Sequence, residues 1–216
     1  MRFLITAGPT REPIDPVRYL SNRSSGKMAY AIADAAIAAG HDVVLISGPV
    51  NLPAPRDTQV VAVATADEMF DAVHRHLDGR DILVMCAAVA DYKPASVSPQ
   101  KIKKTGSDLT LELTPTRDIL ASLPQDRQRL VVGFAAETND VEINAKKKLR
   151  AKNCDLIVAN DVSARDTGME SDENAVTILF RDGETKKISR APKKIIAREL
   201  VKIFCDAREK RLTKKT

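Results

Sequence analysis

The sequence predicts an α/β fold built on a mostly parallel sheet with helices on both faces. Short continuous apolar runs such as RFLITA, DVVLIS and RLVVGF have the pattern of strands buried on two sides. Longer segments with helical spacing separate these runs, so strand and helix alternate along the chain. With 4% aromatic residues and no Trp, the core must be built from Val, Ile, Leu and Ala, and small helix faces suit close packing on such a sheet.

Arg2–Ala7 is the first strand and ends at Gly8, Pro9 and Thr10. Lys27–Ala39 follows as a helix with Met28, Ile32, Ala35, Ala36 and Ala39 on one face and Gly40 as its stop. Asp42–Ser47 is the second strand, closed by Gly48 and Pro49, and Gln59–Ala64 the third. Thr65 and Glu68 have capping-box spacing and start a helix that reaches about Leu77. Asp81–Ala88 is again a buried type of strand. Asp91–Ser107, rich in Pro, Ser and Lys, carries no clear element and reads as a mobile flap. Leu109–Leu113 alternates as a half-exposed strand. Arg129–Phe134 and Asp155–Ala159 are apolar strands separated by a helix from about Val141 to Lys152. Val176–Phe180 and Lys186–Ile188 flank Asp182-Gly183 as a small β-hairpin, the expected dimerisation element, and Pro192–Cys205 forms the last helix. The arrangement is Rossmann-like, a single domain over residues 1–208 with a basic tail at 209–216.

Composition narrows the function classes. The 216 residues are 44% hydrophobic and 29% charged, as in soluble globular proteins. Residues 206–216 hold +3 of the net charge of +5, so a frayed basic tail explains most of the basicity. No aromatic and basic platform for stacking bases is present, and a nucleic-acid partner is not expected. No apolar run is long enough to span a bilayer, and Met1–Ala7 has no signal-like core, so the expectation is a cytoplasmic protein without a membrane partner. Cys86, Cys154 and Cys205 show no metal-ligand spacing and suit a reducing compartment. His41, His74 and His76 fall away from the strand ends, which argues against a catalytic histidine.

Ligands of open parallel sheets bind beyond the carboxyl ends of the strands. After the first strand stand Thr10, Arg11, Glu12, Asp15, Arg18 and the turn Ser21–Met28, whose sequence is SNRSSGKM. That turn opens a helix, where unpaired N–H groups and the dipole favour an anion, and Gly26 permits its close approach. The same letters also fit a capped helix start with solvated charges. Asp91 follows Cys86, Ala87 and Ala88, Glu137 follows Phe134, and Asn160 follows Val158, as expected for a nucleotide lying across the sheet edge. Asp91 is equally a turn cap, and Lys101, Lys103 and Lys104 read equally as a solvated run. Lys148 and Lys152 share one helix face at i,i+4 and could meet one polyphosphate together. Gly26-Lys27 resembles the end of a P-loop, yet Met28 replaces its Ser/Thr, and no G-x-G-x-x-G follows the first strand. An NAD(P)-dependent reductase of Rossmann type, the competing enzyme class, would need that fingerprint and an acidic end to the second strand, where Ser47-Gly48 stands. A nucleotide-binding regulator without catalysis is the third reading.

Taken in order, ITAGPTREPIDPVRYLSNRSSGKM, CAAVADY, KIKK, VVGFAAET and DLIVANDV strongly resemble the bacterial phosphopantothenoylcysteine synthetase family of coenzyme A biosynthesis, over residues 3–180. One departure is Ala29, where Gly commonly follows Lys-Met. The resemblance implies ligation of 4′-phosphopantothenate to L-cysteine with CTP through an acyl-cytidylate, releasing pyrophosphate and then CMP. It implies a homodimer with shared active sites, and a flavin-dependent decarboxylase that is either separate or fused; this chain is then a stand-alone enzyme or an excised domain. By position Ser24, Ser25 and Gly26 would hold the triphosphate, with Mg²⁺ sharing its charge. Asp91, Lys101, Phe134, Lys148 and Lys152 match CTP-contacting positions, and Ala87 belongs with them. Thr116, Arg117, Asp118 and Ile119 occupy the segment that lines the nucleotide in relatives, with letters that match poorly. Asn22 matches the amide that handles the intermediate. Arg18 matches the arginine supplied across the dimer to the substrate phosphate. Asn22, Lys101 and Arg18 are thus the expected catalytic group, and Ala87, Ala88 and Asp91 the expected neighbours of the pantothenate arm.

Overall fold

A computed structural model describes residues 1–124, 128–137, 141–161 and 171–213. The strands are β1 (Arg2–Ala7), β2 (Arg11–Pro13), β3 (Tyr19–Ser21), β4 (Asp42–Ser47), β5 (Gln59–Ala62), β6 (Ile82–Met85), β7 (Tyr92–Pro94), β8 (Leu113–Pro115), β9 (Leu130–Glu137), β10 (Leu156–Asp161), β11 (Glu173–Phe180) and β12 (Thr185–Pro192). The helices are α1 (Lys27–Ala38), α2 (Ala66–His76), α3 (Val141–Ala151) and α4 (Lys193–Thr213). Eight strands form one sheet in the order β12-β11-β10-β9-β6-β1-β4-β5. All pairs from β5 to β10 are parallel, and β11 and β12 add antiparallel edges.

Alternating side chains of the parallel strands feed two layers. Phe3, Ile5, Val84 and Val132 pack with Ile32 of α1 and with Leu200 and Phe204 of α4. Leu4, Val44, Ile46 and Leu83 pack on the opposite face with Met69 and Val73 of α2. Ala145 and Leu149 of α3 cover Ile157 on that same side. The chain runs outward from β1 to β4 and β5, then returns to add β6 beside β1. The strand order therefore reverses between β1 and β6, and the crevice beyond their carboxyl ends is where such sheets bind ligands.

The Thr65/Glu68 capping box forms as expected. The Asp182-Gly183 hairpin also forms as expected, between β11 and β12, and through β11 it joins the main sheet beside β10. Other expectations need correcting. The strand expected at Leu109–Leu113 is displaced to Leu113–Pro115, where it pairs with β7 inside the region expected to lack structure. The ribbon of β2 and β3 went unpredicted, because three-residue strands show no period. The last helix runs to Thr213 instead of stopping at Cys205. The tail is accordingly not frayed up to that point, since Arg211 Nη1 donates to the Arg129 carbonyl at 2.9 Å and pairs with Asp155.

Candidate active site

The loops that follow β1 and β6 are laced together at the switch point. Ala88 donates its N–H to the Gly8 carbonyl at 2.9 Å, and Thr10 Oγ1 accepts the Ala90 N–H at 2.9 Å. Asn22 Nδ2 donates to the carbonyls of Ala88 (3.0 Å) and Val89 (3.3 Å), fastening the turn before α1 to the loop after β6. Gly26 is the N-cap of α1 with φ 77°, and no side chain caps this helix. The first turn of α1 also lacks acidic residues, so the capped-start reading does not hold. A Cβ on Gly26 would lie 2.8 Å from Val50 Cγ1 and 3.4 Å from the Cα of Gly8, so the residue meets both a left-handed turn and a close backbone approach.

Beside this helix start lies a cavity of about 490 Å³. Asn22, Ser24, Gly26, Ala87, Ala88 and Asp91 line it on the switch-point side. Thr116, Arg117, Asp118, Ile119, Phe134 and the pair Lys148 and Lys152 line the rest of its expected wall. Ser25, Arg18 and Lys101 do not line the cavity of their own chain. Arg117 reaches the wall but spends its guanidinium on Asp67 (2.9 Å) and Asp71 (2.9 Å) of α2 and stacks 4.0 Å over Phe70. Lys152 pairs with Asp118. Burial pushes the Asp118 carboxyl up, but the Lys152 ammonium and the N–H groups of Ala121 and Leu120 outweigh it, leaving the pKa below the usual range.

Arg18 donates to Asp15 through Nε (3.0 Å) and Nη2 (2.5 Å), and to the Ile102 carbonyl at 2.8 Å. Asp15 also accepts the Ile102 N–H at 3.1 Å. The residue next to Lys101 is thereby anchored to the loop between β2 and β3. The Arg18 guanidinium, helped by the N–H groups of Val17, Ile102 and Arg18, holds the Asp15 carboxyl far below the usual carboxylate range.

Three further wall residues escaped the sequence reading as a group: Lys193, Asn174 and Asn160. Only Asn160 stood out beforehand, as a residue after a strand. Lys193 occupies the buried stripe of α4 with Ile196, Ala197, Leu200 and Phe204, and that helical spacing was the available signal. Cys86 also reaches the wall, but burial pushes its thiol up to about 12, so it is no thiolate nucleophile near neutrality. None of the three histidines lines the cavity. Among the described residues no cluster of three or more His, Cys, Asp or Glu could hold a metal ion, and none of the helices is long and apolar enough to cross a membrane.

Comparisons with known proteins identify the family and the fold. The family described as DNA/pantothenate metabolism flavoprotein C-terminal domain matches residues 1–207. The chain is 48% identical over 204 residues to the coenzyme A biosynthesis bifunctional protein CoaBC of Vibrio vulnificus, covering 93% of this chain and 51% of that protein. It is 51% identical over 189 residues to CoaBC of Escherichia coli K12, covering 85% of this chain and 47% of that protein. The chain thus spans about half the length of the curated relatives it matches. A crystal structure of the C-terminal domain of CoaBC is 44% identical, with a TM-score of 0.79 over 93% of this chain and 92% of that one. A Cab2 mutant in complex with phosphopantothenate-cysteine shares the fold at 16% identity, with a TM-score of 0.80 over 100% of this chain and 89% of that one. By the family match over residues 1–207 and the 44% identity over 92% of that solved domain, the chain belongs to the family of DNA/pantothenate metabolism flavoprotein C-terminal domains.

Proposed function

We propose that this chain ligates 4′-phosphopantothenate to L-cysteine with CTP, and that the cavity at the β1/β6 switch point is where it does so. The observation that carries the reading is the convergence of Asn22, Ser24, Gly26, Asp91, Phe134, Lys148 and Lys152 on that cavity beside an uncapped helix start. The phosphopantothenate carboxylate attacks the α-phosphorus of CTP, forming the acyl–phosphate bond as pyrophosphate departs. The cysteine amine then attacks the acyl carbon, loses a proton, and CMP leaves with the former bonding electrons. Such a sequence needs alignment and charge neutralisation more than a nucleophilic side chain. That suits a cavity whose one thiol is protonated and which no histidine lines.

Ser24 and the N–H groups of α1 meet the triphosphate, Phe134 and Asp91 bound the nucleoside, and Lys148 and Lys152 approach from α3. Ser25 supports the turn. Thr116, Arg117, Asp118 and Ile119 bound the nucleotide mainly through the chain path, since the charged ends of Arg117 and Asp118 already have protein partners. Asn22, Ala87 and Ala88 lie along the pantothenate arm, and Lys101 closes over the α-phosphate on its loop. Mg²⁺, with no carboxylate cage among the described residues, would be held chiefly by the triphosphate and lend it charge neutralisation, which suits its preference for phosphate and water ligands.

The working form is a cytoplasmic homodimer in which Arg18 serves the neighbour's substrate phosphate. Exposed Val17, Tyr19, Tyr92, Val97 and Leu113, on the two small ribbons and their loops, support that assembly. A flavin-dependent decarboxylase, separate or fused, would be the natural companion activity. Pyrophosphate release and product formation, measured with phosphopantothenate and cysteine and with CTP and ATP in parallel, test the reading. Pyrophosphate and phosphopantothenoylcysteine in equal amounts with CTP are expected; hydride transfer to or from NAD(P) with no ligation would overturn it.

A further inference from the structure

We propose that Lys193, with Lys27 beside it, receives the distal phosphates of the nucleotide, the two that leave as pyrophosphate. The identity of that anion rests on the ligase reading; the anion site itself rests on the geometry. Lys193 is the first residue of α4, is 5% exposed, and lines the cavity together with Gly26, Lys27, Asn160 and Asn174. Helices α1 and α4 pack against each other on one face of the sheet, and Gly26, Lys27 and Lys193 at their starts line the same cavity. Asn160 adds a buried Oδ1 without a hydrogen-bond partner among the described residues, which marks this end of the cavity as built for a polar occupant.

Electrostatics explain why an added anion would favour a charged lysine there. A cation at a helix N-terminus opposes the helix dipole. Burial pushes the Lys193 pKa down, the Lys27 charge pushes it further, and Asp172 with Cys86 only partly offsets them. Asp172 sits beside both lysines: its Oδ1 accepts from Lys27 Nζ at 2.7 Å and its carbonyl accepts the Lys193 backbone N–H at 2.9 Å. Three unfavourable terms thus meet at one side chain, and a pyrophosphate anion beside it would offset them. The wall from Ser24 and Gly26 to Lys193 then follows the triphosphate outward. Lys193 and Lys27 stabilise the charge that gathers on the leaving pyrophosphate.

The test uses the full chain and inorganic pyrophosphate as probe. Lys193→Met, which keeps the stem and removes the charge, is expected to weaken pyrophosphate binding by about tenfold to a hundredfold. Its melting temperature without ligand should equal or exceed that of the wild type, and both kcat and kcat/KM for CTP should fall. A lower melting temperature with unchanged pyrophosphate affinity overturns the proposal and makes Lys193 structural. Acetylation of wild-type lysines, read by mass spectrometry, needs no variant: pyrophosphate should protect Lys193 and Lys27 and leave Lys103 and Lys104 reactive. Equal labelling of Lys193 with and without pyrophosphate overturns the proposal. Wild-type protein that forms product while Lys193→Met binds pyrophosphate normally rejects this site and leaves the ligase reading standing. Lys193-dependent pyrophosphate binding without any ligation does the reverse.

Discussion

Asn22 gives its amide to two backbone carbonyls, which makes its replacement informative in two ways. In Asn22→Asp a carboxylate would face the carbonyls of Ala88 and Val89 and lose both bonds, about 0.5–1.5 kcal/mol each. The same charge repels the acyl phosphate of the intermediate and cannot donate to it when ionised. The expected outcome is pyrophosphate formation that outlives product formation, read by the ratio of the two; a ratio equal to the wild type's would remove Asn22 from the second step. Lys193 gives a pH prediction. Its folded pKa is lowered below the unfolded value of about 10.4. Below the folded pKa both states carry the proton, and the fold bears the full cost of the buried charge. As pH rises through that pKa the folded state sheds its proton first, the unfolded chain binds more protons, and stability rises until about pH 10.4. Lys27, Asp172 and Cys86 face the same group, and all remain in Lys193→Met, so the difference between the two proteins isolates it. Urea midpoints from pH 7 to 10.5 should show the wild type gaining on the variant; parallel curves would refute the shift. Sequence could not announce this lysine, because a cation after a proline at a helix start reads as solvated surface. Its place on the apolar stripe of α4 was the only trace.

At the scale of elements, the continuous apolar runs were legible because burial on two faces leaves no other pattern. Both short ribbons were not, since β2, β3, β7 and β8 have three residues each and owe their pairing to tertiary contacts. The flap shows what this hid. The segment expected to be free is anchored at Ile102 by Asp15 and Arg18, and at Ser98, whose N–H donates to the Ile14 carbonyl at 3.0 Å. The Asp15 side chain is fully buried and accepts N–H groups from Val17 and Arg18 at 2.8 Å as well. Asp15→Asn removes the charge that gathers these donors. Cleavage between Lys103 and Ser107 should then quicken several-fold in limited proteolysis, while bound CTP and phosphopantothenate slow it in the wild type. Cleavage at the wild-type rate in Asp15→Asn would mean that the loop is held elsewhere.

At the scale of the whole molecule, the site's position was legible and its completeness was not. A sheet whose order reverses at β1 and β6 puts ligands at that crevice, and Asn22, Ala87, Ala88 and Asp91 are all there. Arg18 and Lys101 stay outside the cavity of their own chain, and exposed apolar side chains flank them on the ribbons. A second copy placed against those ribbons would bring its Arg18 to a neighbour's substrate, where a guanidinium fork suits a phosphate monoester. Subunit mixing tests this. Arg18→Ala and Asn22→Asp each inactivate a homodimer, but a mixed dimer keeps one site with Asn22 from one chain and Arg18 from the other. Random exchange makes about half the dimers mixed, each with one of two sites intact, so activity should return to about a quarter of the wild type. Arg18→Ala also loosens its own Ile102 anchor, and Asp15→Asn, which keeps the guanidinium, is the control for that effect. If Asp15→Asn homodimers retain activity and the mixture recovers none, with exchange confirmed by mass spectrometry, Arg18 serves the site of its own chain and the two cavities work alone.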